Sequence, residues 1–390
     1  NCAYFDKPYF EGMFSDIVFP EGTEMQWEAV SWLQKRFMEW LNQERLKKIL
    51  TFPVETLNLL DDGTDYVDKE WADNAAEMLS KGHSFFIYRS NSVDSLASCC
   101  RLRNEMSDNT FSYTLGAGGV ATGSKGVITI NMNRLIQTAV DDNRDICEAV
   151  REQVKDIHVY LKAWNAILKD EFNAKLLPIY DAGYISLDKQ FLTIGINGFV
   201  EGCEFLGYTI SPDDQNYVDF TNKVLKVIYD ENKADRSDGI MFNTEYVPAE
   251  NLGVKNAKWD KQDGFVVPRD CYNSYFYVVE DPTKPLDKFM LHGSKMTQYL
   301  DGGSALHLNK EQYRKLMNVA IKTGCPYWTV NVPNTICNDC GHISKHHLHK
   351  CPKCGSENLD YATRVIGYLK RVSSFSEARQ KEAAKRYYAD

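Results

Sequence analysis

Four cysteines near the carboxyl end, Cys337, Cys340, Cys351 and Cys354, fall in two Cys-x-x-Cys knuckles separated by ten residues. Each knuckle turns tightly enough to aim two sulfurs at one point, and the segment between them can fold back as a ribbon. The set therefore suits one tetrahedral Zn²⁺. A closed cage of four thiolates leaves no coordination position for substrate, so the metal is expected to be structural rather than catalytic. Zinc in such a site contributes roughly 10–16 kcal/mol of apparent folding energy in small peptides, enough to order a segment with almost no core. A histidine replacing one sulfur is the open alternative, because His342, His346, His347 and His349 all crowd between the knuckles.

Two further features could carry chemistry. Gly367 sits in the run Arg364-Val365-Ile366-Gly367-Tyr368-Leu369. A lone glycine usually marks a turn, but bulky apolar neighbours suit a buried loop that needs one carbon without a side chain. The pair Cys99-Cys100 precedes Arg101 inside a patternless stretch from Asn91 to Ser124. Buried cysteines often serve as small hydrophobes, yet loops of this length inside compact domains are usually functional. The same stretch holds Gly116, Gly118, Gly119 and Gly123, whose backbone amides could approach phosphate oxygens. It lacks the Gly-Lys-Ser/Thr ending of a phosphate-binding loop, and a merely flexible loop fits as well.

The elements that must position these residues follow from periodicity. Trp27, Val30, Leu33, Phe37, Trp40 and Leu41 recur at helical spacing and predict an amphipathic helix over about 24–48. A short strand over 50–60, containing Pro53, a helix over 69–81 and an aromatic strand over 84–88 come next. After the long loop, a strand at 126–131 leads to a helix over about 143–172. Strands at 191–196, 275–279 and 327–332 alternate with helices at 215–231 and 309–323. This alternation predicts an α/β sheet or barrel. Ser374 and Glu377 read as a capping box opening a charged helix to about Tyr388.

Composition narrows the class. The chain has 390 residues, a formal net charge of -9, 43% hydrophobic and 25% charged residues, which is ordinary for a soluble globular protein and speaks against a general nucleic-acid or membrane-surface binder. No apolar run approaches the ~20 residues of a membrane helix, and no secretory signal heads the chain. Eleven cysteines diluted over this length, four of them in knuckles, fit a reducing cytoplasm. The sequence starts at Asn1 without methionine and reads as entering in mid-domain.

The run RVIGYL around Gly367, the preceding double knuckle and SLASCCRL around Cys100 resemble the catalytic subunit of anaerobic (class III) ribonucleoside-triphosphate reductases, glycyl radical enzymes, most of all their bacteriophage members. VITINMNRL (127–135), IGINGFVEG (194–202), YVPAEN (246–251), YNSYF (272–276), DGGSALHL (301–308) and TVNVPNTIC (329–337) extend the resemblance over essentially the whole chain. The resemblance implies a ten-stranded α/β barrel, here N-terminally incomplete, with a finger loop matching 91–124. It implies a partial barrel over 1–335, a zinc ribbon over 336–356, and a glycyl radical loop with a C-terminal helix over 357–390.

It also implies roles. Gly367 would store a radical generated by a partner S-adenosylmethionine iron–sulfur activase, and Cys100 would become the thiyl radical that attacks the ribose. Asn131 and Asn197 are candidates to hydrogen-bond substrate, or are simply strand-end residues. Cys99 departs from family members that carry another residue there, which leaves formate or a dithiol carrier as the reductant. The family's second active-site cysteine lies on an early strand and is not identified here with Cys2. Ribonucleoside triphosphates as substrates, nucleotide effectors and a homodimer complete the expectation. The rival readings are a glycyl-radical acyltransferase of the pyruvate formate-lyase type and a non-catalytic zinc-ribbon binding protein.

Overall fold

The computed structural model describes residues 2–14, 21–93, 123–183, 185–211, 214–237, 239–246, 251–272, 308–322, 324–325, 327–330, 333–364 and 368–384. In chain order these form β1 (Cys2–Phe5), α1 (Lys7–Phe14), α2 (Trp27–Glu44), β2 (Glu55–Leu60), α3 (Lys69–Ser80) and β3 (Phe86–Ser90). Then come β4 (Ser124–Asn131), α4 (Met132–Asp141), α5 (Ile146–Asn173), α6 (Pro178–Asp181), β5 (Phe191–Asn197), α7 (Phe199–Phe205), α8 (Gln215–Ala234), β6 (Met241–Tyr246) and α9 (Leu252–Gln262). The last elements are α10 (Lys310–Lys322), β7 (Tyr327–Thr329), β8 (Asn334–Cys337), β9 (Ile343–Ser344), β10 (Leu359–Arg364), β11 (Leu369–Arg371) and α11 (Glu377–Ala383). Among the described residues no helix is long and apolar enough to cross a membrane.

The chain divides into two compact units. The first holds β1 to β3 and everything described from Leu308 onward. Its main sheet has the order β1-β2-β3-β7, parallel through β3 and antiparallel at β7. Side chains alternate between its faces, as the strand period of two requires. Leu57, Leu59, Ile87 and Trp328 pack on one side against Trp71, Ala75 and Leu79 of α3 and Leu316, Met317 and Ala320 of α10. Phe86, Tyr88 and Tyr327 cluster with Val54 on the other. Asp68 caps α3 by accepting the Trp71 N–H, the local signal that starts that helix.

A second sheet of this unit has the order β11-β10-β8-β9, antiparallel throughout. It joins the knuckles to the strand that precedes Gly367. The tail helix begins at Glu377, behind a 3₁₀ turn at Val372–Ser374. Ser374 therefore belongs to the turn and does not cap the helix.

The second unit holds β4 to β6 and the helices from α4 to α9. Its sheet, in the order β4-β5-β6, is all parallel. β5 is buried along its whole length, as a central parallel strand must be; α5 packs against β4 and β5, and α8 against α5 and β6, with Val150, Val154, Ile157, Val224 and Ile228 buried. Gly126 lets α5 come close. A Cβ there would lie 2.7 Å from Trp164 Cδ1, and the same indole donates to the Lys125 carbonyl at 2.7 Å.

The fold is thus mixed α/β, as expected. The described strands form separate sheets of four, four and three rather than a closed ten-stranded barrel. The strand expected at 275–279, and most of the expected finger at 91–124, lie outside the described residues.

Candidate functional site

The four knuckle sulfurs converge. Their Sγ atoms all lie within 4.8 Å of one another, with Cys337 to Cys354 at 3.5 Å and Cys340 to Cys351 at 3.6 Å. A Zn²⁺ bound tetrahedrally at about 2.3 Å would space its sulfurs by about 3.8 Å, so the cage has the right size. Both knuckles are built alike: Gly341 donates its N–H to Cys337 O at 3.0 Å, and Gly355 donates to Cys351 O at 2.9 Å. Each glycine has a positive φ, +72° and +75°, a conformation that favours glycine over any residue with a Cβ.

Asp339 of the first knuckle ties the two together, accepting from Ser356 Oγ at 2.5 Å and Asn358 Nδ2 at 2.7 Å. Those donors hold its carboxyl below the usual range. Burial raises the Cys351 thiol, but the N–H groups of Cys354 and Lys353 outweigh it and bring it to about 7. The Ser356 N–H lowers Cys354, yet the crowding sulfurs of Cys340 and Cys337 push it up to about 12. Four thiols this close cannot all ionise unaided, and a divalent cation would supply the missing charge. The histidine alternative is not needed, since His347 instead stacks on Tyr361 at 4.7 Å.

This sheet is fastened to the rest of its unit by side chains. The Lys345 ammonium reaches Asn42 Oδ1 and the Gly82 carbonyl. Burial, reinforced by Arg45 and opposed by Glu55, brings its pKa down to about 8. Arg364 at the end of β10 is buried. Its guanidinium lies over the Phe86 ring, 4.4 Å from the centroid, and donates to Ser84 Oγ at 2.7 Å. Tyr368 packs against the cluster of Val54, Phe86, Tyr88 and Tyr327, with Phe52 5.7 Å away. Gly367, Cys99 and Cys100 lie outside the described residues; Arg364 and Tyr368, which flank 365–367, both lie against the Phe86 cluster of the main sheet.

Cys2 faces the other way. It packs with Tyr4 against the helix-covered side, where Tyr4 donates to buried Glu55 at 2.5 Å. Glu55 also pairs with Arg45 and lies 3.3 Å from His83 Nε2. Burial raises its carboxyl, but His83, Arg45 and Tyr4 together bring it below the ordinary value. These groups form a buried polar network inside the core.

In the second unit Asn131 and Asn197 are register partners at the carboxyl ends of β4 and β5, the end where parallel α/β sheets place their ligands. Both are engaged by α9. Asn131 Nδ2 donates to Asp260 Oδ1 at 2.8 Å, and Asn256 Nδ2 donates to Asn197 Oδ1 at 2.8 Å. Asn131 Oδ1 also accepts the Arg134 N–H, capping α4. Asp260 gathers Asn133 at 3.0 Å, Arg134 Nε at 2.8 Å and Tyr272 OH at 2.8 Å.

Tyr272 is wedged between two glycines. A Cβ on Gly198 would lie 2.9 Å from its Cδ2, and one on Gly253 would lie 2.4 Å from its carbonyl oxygen. Sequence reasoning missed Asp260. The signal was a buried stripe at Gly253, Asn256, Ala257 and Asp260, helical spacing with two polar residues in it.

Comparison with known proteins agrees with this geometry. The family model for anaerobic ribonucleoside-triphosphate reductase matches residues 10–388. The anaerobic ribonucleotide reductase of Thermotoga maritima, solved in complex with dATP and CTP, is 27% identical with a TM-score of 0.79, over 97% of this chain and 64% of that one. The same reductase with glycerol in its active site gives 27% and 0.82, over 99% and 64%. Another structure of an anaerobic ribonucleotide reductase gives 27% and 0.82, over 100% and 63%. The chain thus spans slightly under two thirds of the length of these solved relatives. With the family model matching nearly the whole chain, the chain belongs to the anaerobic ribonucleoside-triphosphate reductase family.

Proposed function

We propose that this chain is the catalytic part of an oxygen-sensitive reductase that converts ribonucleoside triphosphates to 2′-deoxyribonucleoside triphosphates. The observation that carries the reading is the ribbon sheet. A cage of four sulfurs is continuous, through β8 and β10, with the strand that leads to Gly367, within a chain of the reductase family. That family match favours the reductase over the acyltransferase and the binding module. In this reading the strands of the two main sheets are parts of a ten-stranded barrel, and 91–124 is its finger.

The chemistry assigns a role to each residue. An activase of the S-adenosylmethionine iron–sulfur class removes one hydrogen atom from Gly367 Cα. The unpaired electron is stabilised between the amide nitrogen on one side and the carbonyl on the other, provided no side chain twists the centre out of plane. Cys100 then gives its thiol hydrogen atom to that carbon and becomes a thiyl radical, which takes the ribose 3′ hydrogen. The 2′ hydroxyl leaves as water, and formate or a dithiol, with Cys99 nearby in sequence, supplies the reducing electrons.

Zinc held by Cys337, Cys340, Cys351 and Cys354 supplies rigidity and no reaction step. Asn131 and Asn197 border the substrate end of the second sheet. Binding through Asn131 requires its amide to exchange Asp260 for substrate. The dATP and CTP complexes of relatives support nucleotide substrates and effectors here, and we extend the reading to a homodimer acting in the cytoplasm. The deciding experiment is low-temperature electron paramagnetic resonance after anaerobic activation. A glycyl doublet is expected in the wild type and not in Gly367→Ala. A wild type without the doublet, under conditions that activate a relative, overturns the proposal.

A further inference from the structure

We propose that Arg364 is a positioning residue for the radical carbon, holding the strand that enters the Gly367 loop at a fixed place on the main sheet. The inference rests on Gly367 as the radical site. β10 and β11 pair with Arg364 opposite Leu369, so the chain between them is a four-residue connection (365–368) with Gly367 inside it. Backbone pairing alone leaves such a hairpin free to pivot about its base. The structure fastens it at the base by a group of unusual kind.

Arg364 is 5% exposed, and its guanidinium makes two contacts of different geometry at once. Its Cζ lies over the Phe86 ring, 4.4 Å from the centroid, which fixes its height, and it donates to Ser84 Oγ at 2.7 Å, which fixes its direction. Both partners stand at the entry to β3. Ser84 is itself held, its carbonyl accepting from Arg45 Nη1 at 3.4 Å.

A strand end that needed only anchoring would be served by leucine, without desolvating a cation. A planar fork that both stacks and donates is what arginine offers and lysine does not. The purpose fits the reaction. Hydrogen-atom transfer between Cα and sulfur demands close approach, and a misplacement of about 1 Å can cost on the order of 100-fold in rate.

The test uses the complete reductase chain, activated anaerobically with its radical-generating partner. Arg364→Lys and Ser84→Ala are compared with wild type for spins per chain, zinc per chain, KM and turnover per spin. Positioning predicts spin yield, zinc and KM within about twofold of wild type. It predicts turnover per spin down about 100-fold in Arg364→Lys and about tenfold in Ser84→Ala, in line with that distance penalty. Turnover per spin equal to wild type in both variants overturns the proposal. So does a loss of spins with turnover per spin preserved, because Arg364 would then serve activation. A wild type that gives no glycyl doublet counts against Gly367 itself, a separate outcome. If Arg364→Lys fails to fold, Ser84→Ala decides alone, since it leaves the buried stack in place.

Discussion

Lys345 shows how much one side chain contributes to holding the ribbon. Its ammonium is buried against Asn42, the Gly82 carbonyl and the nearby charges of Arg45 and Glu55, and its pKa of about 8 lies below the ordinary 10.5. The folded chain therefore sheds this proton before the unfolded chain does. The associated stability is complete above about pH 10.5 and is lost as pH falls through about 8. Lys345→Met removes the titration. Urea midpoints at pH 7.5 and 9.5 should show wild type gaining about 2 kcal/mol on the variant over that interval. An unchanged difference would mean that the ammonium is not held as described. Asp260 teaches a different lesson at the same scale. Three of its four partners, Asn131, Asn133 and Arg134, lie more than 120 residues away in sequence, and the fourth, Tyr272, lies past the end of the helix, so no local pattern could announce a hub. Only its place in the buried stripe of α9 hinted at it.

At the scale of elements, the ribbon sheet is where metal and loop meet. β8 ends in the ligand Cys337, and Asp360 and Tyr361 of β10 pair with Ile336 and Thr335. The small cluster of Ile336, Ile343 and Ala362 is a slight core for four strands, so a zinc ion in the sulfur cage would supply much of their stability. Chelation, or Cys351→Ser, should take zinc from one per chain to near zero. Amide exchange should then lose protection across β8 to β11 while β1 to β3 keep theirs. Protection that survives metal loss would make the ribbon self-supporting. The knuckles were legible because ligand spacing is a local property, and β5 was legible because a strand buried on both faces is a continuous apolar run. β6 was missed, since Asn243, Thr244 and Glu245 interrupt its apolar pattern yet are all buried. All of α4 was missed, because Asn131 both ends β4 and caps the helix, so no loop separates them. The tail helix was placed too early, because a capping-box spacing at Ser374 coincided with a 3₁₀ turn.

For the whole molecule the radical proposal carries a consequence that separates covalent from folded integrity. A carbon radical at Gly367 adds molecular oxygen, and the resulting peroxyl centre breaks the main chain at that residue. The break falls between β10 and β11. These strands remain paired through Ala362–Arg371, Thr363–Lys370 and Arg364–Leu369, and Tyr368 stays bedded against Phe375 and Ala383 as well as the main-sheet aromatics. The severed tail should therefore stay attached until the fold is lost. Activated protein exposed to air should keep its native mass in solution yet release a short C-terminal peptide under denaturing conditions, with the cut assigned to residue 367 by mass spectrometry. Gly367→Ala treated identically should remain one chain. If activated wild type also remains one chain after denaturation, the unpaired electron does not reside at that carbon, and the role assigned to Arg364 loses its object.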